Sequence, residues 1–115
     1  MGCGAAEDAR RDDARRVPMT AYWINTFRAV RDPDRLARYA ELAGPVMTAH
    51  GGRFLARGLP QHAFEHGQIE RTTLIEFPSV EAAVGAYRSD EYQRALAVLG
   101  DAADRDIRII AGVPD

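Results

Sequence analysis

Few types of side chain in this 115-residue chain could do chemistry. All 15 basic residues are arginine, which excludes a lysine Schiff base, a lysine general base and a P-loop lysine within the chain. The single cysteine, Cys3, excludes an internal disulfide, a multi-cysteine zinc site and an iron–sulfur cluster. Neither serine, Ser79 or Ser89, lies in a nucleophile-elbow pattern. Chemistry would therefore depend on histidine, tyrosine, aspartate, glutamate and arginine.

Tyr92 is the leading candidate for a catalytic residue. Ser89 is a helix cap inside an otherwise helical segment, so it predicts a bend, and Tyr92 follows this bend. A phenol, with a pKa of about 10, is a weak base at neutral pH but donates well to a carbonyl or enolate oxygen. Tyr39 lies on the apolar stripe of an earlier helix, and His50 follows about three turns later on nearly the same face. We predict that these three side chains approach one pocket, with Tyr92 and His50 as catalytic residues and Tyr39 as a ligand-binding residue.

Polar side chains inside the strands form the second group of candidates. Asn25 and Glu76 interrupt otherwise apolar strands, and Arg53 and Arg57 share one side of theirs. Glu76 is predicted to be a catalytic carboxylate in the pocket, and Arg57 a bidentate partner for a ligand carboxylate. Together with Tyr39, the predicted ligand-binding residues are Asn25, Arg57, Tyr22 and Trp23.

Each of these candidates also has a purely structural interpretation. Tyr92 could pack in the core with its hydroxyl group satisfied, and His50 could complement the negative end of a helix dipole. Glu76 and Arg57 could form ion pairs at the surface. Alternation alone does not decide which face of the sheet Asn25 and Glu76 occupy.

The segment His62 to His66 spells H-x-x-E-H, the pattern of the inverted zinc proteases. That motif needs a helix to place both histidines on one face. Pro60 and Gly67 limit this segment to about six residues, which is too short for a stable helix. We therefore expect no metal site here. An exposed loop or short strand with solvated histidines is expected instead, with a loop that covers a ligand pocket as the alternative.

Hydrophobic periodicity and helix caps predict the elements that position these residues. Apolar alternation predicts strands, and apolar residues at helical spacing after Asp32 and Ser79 predict helices. The predicted strands cover residues 21–27, 53–57, 70–77 and 107–111, and the predicted helices cover residues 33–50 and 80–99. This order predicts a ferredoxin-like βαββαβ fold of the α+β class, a four-stranded antiparallel sheet with two helices on one face.

The predicted strands carry apolar residues on both of their sides, which indicates how the chain assembles with a second copy. Trp23 and Phe27 compete with Tyr22 and Ile24 for a buried position. Because both helices cover the same face of the sheet, one chain cannot bury the other face. We predict a homodimer in which a second sheet packs against the uncovered face.

Composition limits the partners and the location further. The net charge is −2, with 15 basic against 17 acidic residues, so we expect no binding of nucleic acid. No apolar run approaches the roughly 18 to 20 residues of a membrane span, so we expect no membrane partner and a cytoplasmic protein. Residues 1–18 contain almost no apolar side chains, which predicts a disordered N-terminal extension. One domain is then expected over residues 19–115.

Several sequence blocks carry a resemblance to a known family. The blocks are Gly51–Gly58, Leu74–Ser79 and Tyr87–Gln93, with Tyr22–Ile24 near the start and Arg108–Val113 near the end. In their order and spacing they resemble the family called domain of unknown function 1330, over roughly residues 20 to 113. The resemblance implies a dimeric α+β barrel, an architecture shared with cofactor-free monooxygenases, muconolactone isomerases and small polyketide cyclases. It also implies a β-hairpin arm around residues 62–66, and a position for Tyr92 where the similar cyclases have a histidine.

The resemblance and the candidate residues together predict a small-molecule-binding protein. The favoured function is a cofactor-independent enzyme of the cyclase, isomerase or monooxygenase type that acts on a small aromatic or acidic metabolite. The first alternative is a non-catalytic ligand-binding or accessory dimer, and the second is a purely structural dimer. No cofactor is expected, and the fold alone does not decide the reaction.

Overall fold

The computed structural model describes residues 20–114 of the chain. Within them the elements are β1 (Ala21–Val30), α1 (Pro33–Ala49), β2 (Arg53–Gly58), β3 (Thr72–Phe77), α2 (Val80–Arg88), α3 (Asp90–Leu99) and β4 (Ala103–Ala111). This order confirms the predicted βαββαβ plan, with the second helix divided into α2 and α3. The predicted N-terminal extension, residues 1–18, lies outside the described residues.

Ser89 divides the second helix. Its backbone is extended, with φ −64° and ψ 151°, so α2 cannot continue through it. The Ser89 hydroxyl donates to the Ala86 carbonyl at 2.8 Å and accepts from the Tyr92 N–H at 3.2 Å. One side chain therefore ends α2 and begins α3. The predicted interruption is confirmed, and it places Tyr92 in the first turn of α3.

The strands form one antiparallel sheet in the order β2-β3-β1-β4. In the central strand β1, Trp23 lies between Ile75 of β3 and Ile109 of β4. Trp23 also packs against aromatic rings on both sides of the core, with centroid distances of 6.1 Å to Phe77 and 5.6 Å to Tyr92. The helices cover this face of the sheet, and the hydrophobic core lies between them and the strands.

The last strand begins at Ala103, earlier than its predicted start at Ile107. β1 also extends beyond its predicted end at Phe27, and the two added stretches pair with each other. Residues 104–106 are all charged, so they carry no apolar alternation that would predict a strand. Alternation nevertheless continues through them and brings Arg105 to the helix-covered face, opposite Phe27.

The face of the sheet away from the helices carries apolar side chains. Tyr22, Ile24 and Leu74 are half-buried there, and Ile110 is 57% exposed. These residues alternate with the core residues along their strands, as the sequence predicts. Within one chain, no helix of the described residues covers this face.

Residues 59–71, which join β2 to β3, form neither helix nor strand. The β-hairpin arm implied by the family resemblance is therefore wrong for this chain, and β3 begins at Thr72 rather than at Glu70. A turn at Glu65, whose φ of 55° is left-handed, interrupts any extended pairing. Phe64 at the tip is 80% exposed, and its ring stacks on that of His62 at 6.4 Å. The expectation of an exposed loop is confirmed.

Candidate functional site

A cavity of about 50 Å³ lies between α1 and the helix-covered face of the sheet. Its wall is mostly aromatic and aliphatic, and it also includes the polar residues Asn25, Tyr39, Arg57, Arg71 and Thr73. One ordered water needs only about 10 to 15 Å³, so the cavity has room for a larger group of atoms. A mostly apolar wall with a few convergent polar groups is usual for a small-molecule site. The volume is well below the usual range of about 300 to 1,000 Å³, so a ligand larger than a few atoms enters only if the lining side chains move.

Asn25 is the most unusual residue of this cavity. It is 6% exposed, and within residues 20–114 its Oδ1 has no hydrogen-bond partner. Strand alternation places it between Trp23 and Phe27 on the core face of β1, opposite Thr73 of β3. An unpaired buried carbonyl oxygen costs about 1 to 3 kcal/mol. Such an atom at a cavity wall calls for a donor from water or from a ligand.

Two phenols and a guanidinium group meet beside the cavity. The hydroxyl oxygens of Tyr39 and Tyr92 are 2.6 Å apart. Arg105 donates to the Tyr39 hydroxyl from Nη1 at 2.8 Å and to the Tyr92 hydroxyl from Nη2 at 3.5 Å. Its guanidinium carbon also lies 4.9 Å from the centroid of the Tyr39 ring, within the range of a cation–π contact. Helices α1 and α3 and strand β4 each supply one member of this cluster.

Burial dominates the electrostatics of the cluster. Burial raises the pKa of the Tyr92 phenol far above its ordinary value, and the nearby Tyr39 oxygen raises it further, while Arg105 opposes both effects. Burial alone would lower the pKa of the Arg105 guanidinium, but the oxygens of Tyr39 and Tyr92 outweigh burial and raise it. At neutral pH the cluster therefore holds a neutral Tyr92 beside a cationic Arg105. Tyr92 can donate or accept a hydrogen bond there, but it cannot act as a general base.

The structure brings together most of the predicted ligand-binding residues. Trp23, Asn25, Tyr39 and Arg57 all line the cavity. Tyr92 does not line it, but is fully buried and bonds to Tyr39. The expected approach of the two tyrosines is therefore confirmed. Their roles in binding or catalysis stay predictions.

Three other predicted site residues lie elsewhere, which corrects the predicted site. Tyr22 and Glu76 are cross-strand partners on the face away from the helices, because each alternates with a core residue of its strand. Glu76 accepts a hydrogen bond from Arg53 there at 2.9 Å. His50 ends α1, where its backbone N–H donates to the Val46 carbonyl at 3.1 Å, and it does not line the cavity.

Sequence reasoning missed Arg71 and Arg105. Arg71 lies in the connection directly before β3 and lines the cavity. Arg105 lies in the charged start of β4. The sequence does indicate the face on which Arg105 lies. Every second residue of a strand shares a face, so Arg105 lies on the same apolar face as Ile107 and Ile109. The same alternation, followed back along β3 from Phe77, also puts Arg71 on the apolar face.

The histidine pair of the H-x-x-E-H segment lies apart from the cavity. His62 and His66 line a groove of about 520 Å³ on the helix-free side of the sheet. Among residues 20–114, no three histidine, cysteine, aspartate or glutamate side chains are grouped so that they could hold a metal ion. In the same range, no helix combines the length and apolar character that a membrane crossing requires.

A four-stranded antiparallel sheet in the order β2-β3-β1-β4, with its helices on one face, defines a ferredoxin-like α+β protein. Residues 20–113 match the family described as Domain of unknown function (DUF1330), and the chain belongs to that family. No curated protein sequence matches it.

Solved structures with the same fold support this class. A protein of unknown function from Rhodopseudomonas palustris is 23% identical, with a TM-score of 0.63 and coverage of 88% of each chain. A dimeric ferredoxin-like protein of unknown function from Thermobifida fusca is 17% identical, with a TM-score of 0.58 and coverage of 82% of this chain and 92% of that one. SnoaB, a cofactor-independent oxygenase from Streptomyces nogalater, is 11% identical, with a TM-score of 0.58 and coverage of 83% and 94%. At these identities the likeness extends to the fold and not to the reaction.

Proposed function

We propose that this protein binds a small organic acid in the cavity between α1 and the sheet. The observation that carries the proposal is the Asn25 Oδ1 atom, which is buried at the cavity wall and has no hydrogen-bond partner within residues 20–114. A ligand hydroxyl or N–H group that donates to this atom would remove the cost of burying it unpaired.

Two arginines supply the charge that favours an acid. Arg57 near the end of β2 and Arg71 just before β3 both line the cavity. Neither forms an ion pair with a carboxylate of residues 20–114. The Arg57 guanidinium carbon lies 4.5 Å from the centroid of the Phe54 ring, a contact that holds the group in place. A guanidinium group binds a carboxylate through two parallel hydrogen bonds, so this pair suits a ligand carboxylate.

The remaining wall determines the body of the ligand. Trp23, Phe27, Phe54 and Ile75 line the cavity, so the part of the ligand between its polar ends is apolar or aromatic. The proposed ligand is therefore a small carboxylic acid with an apolar or aromatic body and one hydroxyl or N–H donor.

A cofactor-independent enzyme is the second candidate function, and the cluster beside the cavity favours it. Tyr39 lines the cavity and accepts from Arg105 at 2.8 Å, so its hydroxyl could donate to a ligand oxygen on which negative charge develops. The raised pKa of Tyr92 makes it a hydrogen-bonding support rather than a base. Isomerase and cyclase reactions that proceed through an enolate develop such an oxyanion, and SnoaB, on a similar fold, is a cofactor-independent oxygenase. A binding protein without activity would use the same contacts only to orient its ligand.

We further propose that the protein is a homodimer. The apolar side chains on the helix-free face would be buried if two sheets packed against each other there. The structure from Thermobifida fusca is described as dimeric, which supports this arrangement.

Three related compounds test the binding proposal. Mandelate has an aromatic body, a carboxylate and a hydroxyl group, whereas phenylacetate lacks the hydroxyl and mandelamide lacks the charge. Trp23, the only tryptophan, lines the cavity, so its fluorescence should change when a ligand enters. Calorimetry gives the affinity. We expect mandelate to bind about two- to tenfold more tightly than phenylacetate, since one hydrogen bond contributes about 0.5 to 1.5 kcal/mol. Mandelamide should bind still more weakly.

Variants assign the contacts. Asn25→Leu should abolish the preference for mandelate over phenylacetate, and Arg57→Gln should reduce the affinity for both acids. Arg53→Gln is the matched control, because Arg53 pairs with Glu76 on the opposite face. The predicted shared side of Arg53 and Arg57 is wrong, since a β-bulge within β2 separates them. Equal affinity of Asn25→Leu for the two acids supports the site. An unchanged preference, or equal losses in the two arginine variants, would count against it.

A further inference from the structure

We propose that the groove between α3 and β4 is a second binding site, for an amphipathic organic anion whose carboxylate pairs with Arg105. The groove has a volume of about 530 Å³, in the range of about 300 to 1,000 Å³ typical of small-molecule sites. Arg105 lines this groove and not the cavity, whereas Tyr39 lines the cavity and not the groove. The two sites therefore lie on either side of the hydrogen bond between these residues.

Arg105 is a half-buried cation without a counter-ion in the described part of the chain. Its hydrogen bonds go to the Tyr39 and Tyr92 hydroxyls and not to a carboxylate. Its neighbours Asp104 and Asp106 turn to the other side of β4, where they pair with other arginines at 2.6 and 3.0 Å. The two hydroxyls stabilise the cation by hydrogen bonds, but no carboxylate of residues 20–114 lies against it. An anion that enters from the groove would supply the missing opposite charge.

The guanidinium group also keeps donors for such a ligand. A guanidinium has five N–H groups, and within residues 20–114 Arg105 uses one on Nη1 and one on Nη2. The remaining N–H groups can bind a carboxylate in the side-on or end-on manner usual for arginine. The existing bonds to the two phenols fix the orientation of the group, so little conformational entropy is lost when the anion binds.

Apart from Arg105, the side chains that line the groove are aliphatic or aromatic, so they suit an apolar ligand body. Ile107 and Ile109 follow Arg105 along the same side of β4, and Leu96 and Tyr87 face them from the helices. β4 is at the edge of the sheet, so no further strand of the described residues closes the groove on that side. From residue 105 to residue 109 the strand rises about 13 Å, roughly the length of an extended ten-carbon chain. Decanoate therefore matches both the charge and the apolar length.

Calorimetric titration of the full-length chain with decanoate tests the proposal. We expect binding to the wild type, at least tenfold weaker binding to Arg105→Gln, and partial rescue by Arg105→Lys, which keeps the charge. Arg108→Gln removes a charge from the same strand on its opposite face and should bind decanoate as the wild type does. Butyrate, which keeps the carboxylate but not the length, should bind much more weakly.

Two further variants keep the test decisive if Arg105→Gln fails to fold. Ile109→Glu places a carboxylate in the groove and should prevent decanoate binding while Arg105 is intact. Asn25→Leu alters only the cavity and should leave decanoate binding unchanged, so the two proposed sites are tested independently. Three results would overturn the groove site. They are no decanoate binding to the wild type, unchanged binding to Ile109→Glu, or loss of binding in Asn25→Leu.

Discussion

The hydroxyl group of Tyr92 should stabilise the fold at neutral pH and destabilise it at high pH. Tyr92→Phe removes one oxygen from a fully buried ring that keeps its packing against Trp23 and Tyr87. The lost interactions are the 2.6 Å bond to Tyr39 and the long 3.5 Å contact with Arg105. A buried hydrogen bond of this kind contributes about 0.5 to 1.5 kcal/mol. We expect Tyr92→Phe to lower the free energy of unfolding by about 1 kcal/mol at pH 7.

The raised pKa of Tyr92 makes this difference depend on pH. Because the folded pKa lies above the unfolded value of about 10, the hydroxyl's contribution is complete below pH 10 and falls as the pH rises further. The unfolded phenol ionises freely, whereas the folded one stays neutral. Linkage gives a loss of about 1 kcal/mol between pH 10 and pH 11 for one such group. Tyr92→Phe has no phenol at this position and escapes that loss.

Urea unfolding, followed by the fluorescence of Trp23, measures both effects. The wild type should be more stable than Tyr92→Phe at pH 7, and the two should be about equally stable near pH 11. Tyr87→Phe is the matched control, since Tyr87 also packs against Trp23 but is 37% exposed. Its stability should follow that of the wild type across this pH range. A difference between wild type and Tyr92→Phe that stays constant from pH 7 to pH 11 would refute the argument from burial.

Three further predictions concern the cavity, the assembly and the histidine pair. Asn25→Leu replaces a buried amide with an unpaired oxygen by an apolar side chain of similar size. In thermal unfolding this variant should be as stable as the wild type or more stable, by up to about 1 kcal/mol. A loss of more than about 2 kcal/mol would show that the Asn25 oxygen already has a hydrogen-bond partner. Light scattering at micromolar concentration should give about twice the chain mass of 12.7 kDa, and Leu74→Glu on the helix-free face should give a monomer; a monomeric wild type would contradict the proposed dimer. Zinc should not survive dialysis, because residues 62–66 form no helix and lack a third ligand nearby; stoichiometric zinc that is lost in His62→Ala would contradict this.

The fold was predictable from the sequence because its signals are local. Asp32 and Ser79 accept hydrogen bonds from the first turns of α1 and α2, at 3.1 and 3.0 Å, where their residue type predicts caps. Ser89 likewise marks the division of the second helix. Where local signals are weak, the prediction was less accurate, as for the charged start of β4.

The site was only partly predictable, because it depends on which face of the sheet the helices cover. Strand alternation shows that Trp23 and Asn25 share one face and that Tyr22 lies on the other, but it does not identify the covered face. Glu76 was therefore assigned to the pocket, although it lies on the opposite face with Tyr22. The contact of Arg105 with two tyrosines joins β4 to α1 and α3, and no local pattern encodes such a meeting of distant elements.

The central claim is that the cavity between α1 and the sheet binds a small organic acid. A crystal structure of the protein with mandelate tests this most directly. The account predicts density for the ligand in this cavity, with its hydroxyl about 3 Å from the Asn25 Oδ1 atom and its carboxylate on Arg57 or Arg71. Mandelate density elsewhere, or a cavity that holds only water at saturating mandelate, would contradict it.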